Sequence, residues 1–143
     1  MTLYLDTSAV VKLYLEELNS TLVERAVTNA RVTATSLITY VEVRSALTRR
    51  FREDRYPAAS RDQILKRFEH DWNDHHIIAV NELLIRRAAA LAQQHRLRAY
   101  DAMHLASVLE LQQELRRPVT FAAFDATLLR AAKREQLRVL PRR

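Results

Sequence analysis

Glycine is absent from the 143 residues. No glycine-rich phosphate loop can therefore form, which excludes P-loop and Rossmann-type nucleotide binding. Helix C-caps and tight turns must use Asn, Asp or other side chains instead. Cysteine is absent too. That removes a disulfide framework, a thiolate metal site and a cysteine nucleophile, and it fits a reducing, cytoplasmic setting. Proline occurs only at Pro57, Pro118 and Pro141, and no repeat, linker or low-complexity segment divides the chain. A single domain over residues 1–143, with one sizeable core, is expected. No stretch approaches the roughly 18 apolar residues that cross a bilayer. Asp6 and Lys12 interrupt the first apolar run, so no signal peptide is expected.

Charge is plentiful and lopsided. The formal net charge is +6 and the pI about 10.2, a balance that favours polyanionic partners through steering and counterion release. Arginine far outweighs lysine, and arginine is the better bidentate partner for phosphate. The arginines cluster at Arg49, Arg50, Arg52 and Arg55, at Arg86 and Arg87, at Arg96 and Arg98, at Arg116 and Arg117, and at Arg142 and Arg143. These clusters are spread along the chain, so a positive groove exists only if the fold gathers them.

The hydrophobic pattern alternates between strands and helices. Strands are expected at residues 2–5, 32–35, 77–80, 119–123 and 137–140, the last as an edge strand. Helices are expected at 7–17, 19–29, 36–52, 58–74, 81–95, 99–116 and 126–133. Such alternation argues for an α/β fold with a parallel sheet covered on both faces. Sites in such folds form outside the carboxyl ends of the strands.

Against this frame four acids stand out. Asp6 directly follows the run Leu3-Tyr4-Leu5, and Asp125 directly follows Val119–Phe124. Glu42 lies inside a helix, and Asp101 opens the most apolar helix of the chain. A carboxylate in apolar surroundings is costly unless it is paired or holds a metal. Each acid also has a simpler explanation. Asp6 and Asp125 suit N-caps, Glu42 stands in a Thr39-x-x-Glu pattern resembling a capping box, and Asp101 suits a helix first turn. The joint pattern weakens these readings, because Glu42 sits too deep in its helix for a box, and Asp101 lies in the most apolar helix of the chain, where a solvated acid is out of place. Four carboxylates in one small fold point to a hard cation and phosphate chemistry. His104, three residues after Asp101, shares its helical face and reads as a satisfied core histidine. His70 and Asp74 have a spacing that can hold a transition metal, but a polar helix end leading into a strand explains them more simply.

Leu3-Tyr4-Leu5-Asp6-Thr7-Ser8-Ala9, Tyr40–Leu47, Leu97–Ala106 and Phe124–Leu128 resemble the motifs of the PIN-domain family, and more closely those of VapC-type ribonuclease toxins of toxin–antitoxin pairs. The resemblance runs from residue 3 to about residue 134, with the Asp101 segment its most specific part. It implies a three-layer α/β/α domain with a central parallel sheet of four to five strands. It further implies a Mg²⁺- or Mn²⁺-dependent endoribonuclease that cleaves structured RNA, tRNA or rRNA, with a metal-activated water. On this resemblance Asp6, Glu42, Asp101 and Asp125 are the catalytic acids and the metal ligands, with Asp6 and Asp101 the direct ones. Ser8 and Thr127 match polar positions lining the site, Arg44 matches a frequent arginine after the motif glutamate, and His104 matches a structural histidine. The implied partners are a cognate antitoxin, an RNA substrate and a second copy of the chain as a homodimer. Gln94-His95-Arg96 departs from the family, standing where a glycine often precedes Leu97.

Other readings start from the same residues. A HAD-type phosphatase requires Asp where Ser8 stands, and a receiver domain requires neighbouring acids that are missing here. A non-catalytic basic RNA-binding module of the same fold, or a PIN nuclease of RNA processing, is the alternative in function.

Overall fold

A computed structural model describes residues 1–142; of the terminal arginine pair, Arg143 lies outside the described residues. Strands β1 (Thr2–Leu5), β2 (Val32–Ser36), β3 (His76–Ile78), β4 (Val119–Ala122) and β5 (Arg138–Leu140) form one sheet. Its order is β3-β2-β1-β4-β5, and every neighbouring pair is parallel. The helices are α1 (Thr7–Val11), α2 (Ser20–Asn29), α3 (Ile38–Glu53), α4 (Ala58–Trp72), α5 (Glu82–His95), α6 (Ala99–Leu115) and α7 (Ala126–Arg134).

The pleat of β1 sorts the helices into two layers. Leu3 and Leu5 point to one face, where they join Val10, Tyr14, Val43, Leu47 and Phe68 from α1, the segment after it, α3 and α4. Tyr4 points to the other face, among Leu105, Val108, Phe121 and Leu128 beneath α6 and α7. Successive strand residues face opposite sides, so a central parallel strand must be apolar throughout. Leu3, Tyr4 and Leu5 are all fully buried. Burying each large apolar side chain contributes about 1.5–3 kcal/mol. The α/β/α architecture expected from the sequence is thus present, with five strands.

Most boundaries fall within two residues of the sequence reading, and two of the shifts have a clear physical cause. The helix expected over 7–17 ends at Val11. After it, the amides of Lys12, Leu13 and Tyr14 bond three residues back, and the Ser20 hydroxyl takes the Leu15 carbonyl. Tyr14 and Leu15 stay buried, so the apolar pattern there marks core residues in a turn. The third strand is His76–Ile78 rather than 77–80. Only its residues 76–78 find partners on β2, in register with Ala34, Thr35 and Ser36.

The missing glycine is replaced by arginine. Arg96 ends α5 at φ 56° and Arg116 ends α6 at φ 53°, both left-handed. The amides of Arg96 and Leu97 both return to the Ala92 carbonyl. The segment before the Leu97 motif therefore follows the path a glycine takes at a helix end, at the steric cost of a Cβ in that region.

Candidate active site

The β1–β4 junction lies where the sheet order departs from the chain order, the place where open α/β sheets form clefts. The amide of Asp6 extends the β1–β4 ladder by donating to the Ala122 carbonyl at 3.1 Å. Asp6 then caps α1, its Oδ1 accepting from the Ala9 amide at 2.9 Å and from the Ser8 hydroxyl at 2.7 Å. Asp125 caps α7 in the same way, its Oδ2 accepting from the Leu128 amide at 2.9 Å. Both acids are N-caps and also line one cleft of about 390 Å³, together with Glu42, Asp101, Ser8, Thr7, His104 and Arg98. Both acids therefore cap a helix and still line the cleft, because each cap occupies one carboxylate oxygen and leaves the other.

Glu42 takes no part in a capping box. Thr39 turns instead to Thr35, whose hydroxyl lies 2.7 Å away, and Glu42 is held by a buried polar chain. The Thr7 hydroxyl donates to its Oε1, which also lies 2.9 Å from His104 Nε2. On the far side of the ring, His104 Nδ1 lies 2.8 Å from the Tyr4 hydroxyl. These partners assign the proton to Nε2, with Tyr4 donating to Nδ1. His104 is 2% exposed and Tyr4 0%, so the expectation of a satisfied core histidine holds. The same histidine also orients the cleft glutamate, which that expectation did not include.

Asp101 faces the cleft from the first turn of α6. Its Oδ2 accepts from Arg98 Nε at 3.0 Å and pairs with a terminal nitrogen at 2.9 Å. The same terminal nitrogen stands 3.6 Å from Asp125 Oδ1. A guanidinium thus lies across the two acids, and their charges raise its pKa further, the Asp101 hydrogen bond most. Burial pushes the Asp6 carboxyl above its usual range, against His104, Ser8 and the Ala9 amide, and Asp101 raises it further. Burial acts on Glu42 in the same sense, but hydrogen bonds from His104 and Thr7 outweigh it and leave that carboxyl lowered.

The donor set fits a hard divalent cation. Asp6 Oδ1, Glu42 Oε1 and Asp101 Oδ2 carry the protein hydrogen bonds. The second oxygen of each takes none among the described residues, and Asp125 Oδ1 has only the long contact with Arg98. Oxygen donors from carboxylates are what Mg²⁺ and Mn²⁺ take. These oxygens are not drawn tightly together. Among the described residues, one group of three His, Asp or Glu ligand atoms lies within 4.8 Å of one another, and it is His70, Asp71 and Asp74. That group ends α4, and Asp71 there accepts from the Tyr14 hydroxyl at 2.7 Å. The neighbouring His75 bonds Thr33 near the amino end of β2, at the sheet edge opposite the cleft.

Two residues expected at the site are elsewhere. Arg44 points away from the cleft, pairing with Glu69 at 2.8 Å beside Tyr40. Thr127 is exposed on α7 and accepts from Arg130 at 3.3 Å. A helix moves its side chains by about 100° per residue, so Arg44 is turned away from Glu42 on α3. Conversely, Thr7, Glu17, Arg98 and Phe124 line the cleft and were not singled out. Thr7 and Arg98 adjoin named acids in sequence, and Glu17 is brought in by its pairs with Lys12 and Arg50.

Comparison with known proteins agrees with this geometry. The PIN domain family model matches residues 3–134. Ribonuclease VapC45 of Mycobacterium tuberculosis is 29% identical over 138 residues, covering 96% of this chain and 94% of its own. Among solved structures, FitAcB from Neisseria gonorrhoeae superposes with a TM-score of 0.68 at 17% identity, covering 96% of this chain and 95% of that one. VapBC2 from Rickettsia felis, solved with a DNA fragment from its promoter, gives 0.63 at 13% identity, covering 97% of each. With four acids on one cleft of a parallel five-stranded sheet and a family match over nearly its whole length, the chain belongs to the PIN-domain family.

Proposed function

We propose that the protein is a divalent-metal-dependent endoribonuclease of the VapC toxin type, a single catalytic domain whose substrate is structured RNA, tRNA or rRNA. The observation that carries the reading is the cleft itself: Asp6, Glu42, Asp101 and Asp125 line one basin, and each keeps an oxygen free of short hydrogen bonds. Similarity to a ribonuclease over 96% of the chain supports the reaction class. A divalent cation held there supplies a Lewis acid that acidifies water and offsets charge on the phosphodiester. Asp6 and Asp101, from β1 and α6, are the residues that would hold it, with Asp125 beside them.

The chain's own residues do the rest. His104 and Thr7 fix Glu42 through Oε1, which leaves Oε2 to accept a proton from an attacking water or to orient it. Ser8 holds Asp6 Oδ1, so the carboxylate plane of Asp6 is set before substrate arrives. Arg98, exposed at the rim, can transfer from the acids to a phosphate, the anion its planar fork matches best.

An antitoxin and a second copy of the chain are the proposed protein partners. Leu37, Val41, Leu83, Ile85 and Tyr100 are all about half exposed or more. Ile38, Val80, Ile85, Tyr100 and Met103 line an adjoining apolar hollow of about 350 Å³. Contiguous exposed apolar surface marks a protein interface. The structural relatives include VapBC and FitAB complexes.

Incubating total tRNA and rRNA with the purified protein, in Mn²⁺ or in EDTA and beside Asp6→Asn, tests the reading. Discrete metal-dependent fragments that vanish in the variant are expected. RNA binding with no cleavage under any metal would favour a non-catalytic RNA-binding module instead.

A further inference from the structure

The arginines of α3 divide between two sides of the helix. Arg50 is committed, its guanidinium pairing with Glu17 at 2.7 Å and Asp54 at 3.1 Å. Arg44 is half committed through Glu69. Arg49 and Arg52 are exposed, and no ion pair or hydrogen bond ties either guanidinium among the described residues. With Arg44, Ser45 and Thr48 they line an open groove of about 610 Å³ along the helix.

The groove and the acidic cleft share helix α3 but no lining residue. Glu42 and Ala46 line the cleft, and Arg49 is seven residues beyond Glu42, so it returns to nearly the same helical face about 10 Å further along the axis. Arg52 lies one turn beyond that. A nucleic-acid strand rises about 3.4 Å per nucleotide when stacked. Arg49 and Arg52 therefore stand within roughly three to five nucleotides of a phosphate seated at the acids.

We infer that the Arg49–Arg52 face of α3 is a backbone track for single-stranded RNA, holding the phosphates that flank the scissile one. The inference deepens the nuclease reading and rests on it. Uncommitted guanidiniums in an open groove lose no internal partner when a phosphate arrives. A phosphodiester strand can run from them onto the acids with a divalent cation between. An acidic peptide on the same path meets the cleft carboxylates and is repelled.

The test uses the full chain as Asp6→Asn, with a fluorescein-labelled mixed-sequence 20-nucleotide RNA followed by anisotropy across a salt series in Mg²⁺. Removing two phosphate contacts lowers the slope of log K against log salt by about 1.4. R49A/R52A is expected to show that drop and roughly tenfold weaker binding at low salt. R49K/R52K should recover most of both, and R44A should move the slope by less than half as much. An R49A/R52A variant that melts normally and keeps the parent's slope and affinity overturns the track. So does loss of binding to labelled polyglutamate with RNA binding intact, which would assign the face to an acidic protein. Cleavage of total tRNA by the wild type in Mn²⁺ is scored separately. Its absence, with the slope change present, removes the nuclease and leaves the track as an RNA-binding surface.

Discussion

Arg98 lies against Asp101, with nitrogen–oxygen distances of 2.9 and 3.0 Å, and reaches toward Asp125 at 3.6 Å. The chain thus supplies its own cation to the acids proposed to hold a metal. An incoming Mn²⁺ must displace it. Arg98→Ala is therefore expected to tighten Mn²⁺ binding by roughly two- to fivefold, the range for an exposed ion pair, while weakening RNA binding. Isothermal titration with Mn²⁺ alone reads the first effect. An unchanged or weaker Mn²⁺ affinity refutes the competition.

Asp6→Asn keeps a good N-cap, so its fold should survive while cleavage falls by about a hundredfold or more. Unchanged cleavage would remove Asp6 from the site.

The same substitution carries a pH signature in EDTA. Burial raises the Asp6 carboxyl in the folded chain, so the folded state keeps a proton that the unfolded chain, near 3.9, has already released. Stability therefore falls as pH rises from that value through the folded one. Measured against Asp6→Asn, which does not titrate, the wild type should lose stability across this window and level off above it. Urea denaturation of both proteins from pH 4 upward checks it, and a difference independent of pH contradicts the buried-carboxyl account.

Removing His104 strands two partners at once. His104→Ala leaves the Tyr4 hydroxyl and Glu42 without their shared ring, at a cost of about 1–3 kcal/mol for the unsatisfied buried groups. Tyr4→Phe in the same background should recover part of the loss, because it deletes one orphan. A double-mutant cycle in urea measures the coupling, and strict additivity would show that the chain Tyr4–His104–Glu42 is not a unit.

Arg116 ends α6 in the left-handed region at φ 53° with an exposed side chain. Arg116→Gly relieves the Cβ clash, and after the entropy of glycine the net gain is about 0.5–1 kcal/mol. Arg116→Ala keeps the clash and should be near neutral. Thermal melts of the two variants separate the explanations, since equal shifts would assign the effect to the lost charge.

Much of this was legible in the chain. Leu3-Tyr4-Leu5 fitted a strand buried on both faces, because a short apolar run ending at a polar residue suits a central parallel strand. An acid after each of two strands had to lie on the carboxyl edge, since chain direction in a parallel sheet fixes that edge. Asp6 and Asp125 were therefore readable on one edge, Glu42 and Asp101 joined them through their apolar context and the resemblance to the PIN-domain family, and the end of α1 was misplaced because a buried turn carries the same apolar residues as a helix.

The tertiary structure alone decided the rest. Residue type cannot say which carboxylate oxygen is taken by a cap and which is free, nor that His104 joins Tyr4, 100 positions away, to Glu42. It cannot say that Arg44 turns to Glu69 while Arg49 and Arg52 stay uncommitted, because helical phase and the neighbour on α4 set that. Sequence determined which elements form and where their ends point, through local sterics and the burial of apolar side chains. Packing determined which charges meet, because electrostatic partners are chosen by distances of a few ångströms that only the folded chain defines.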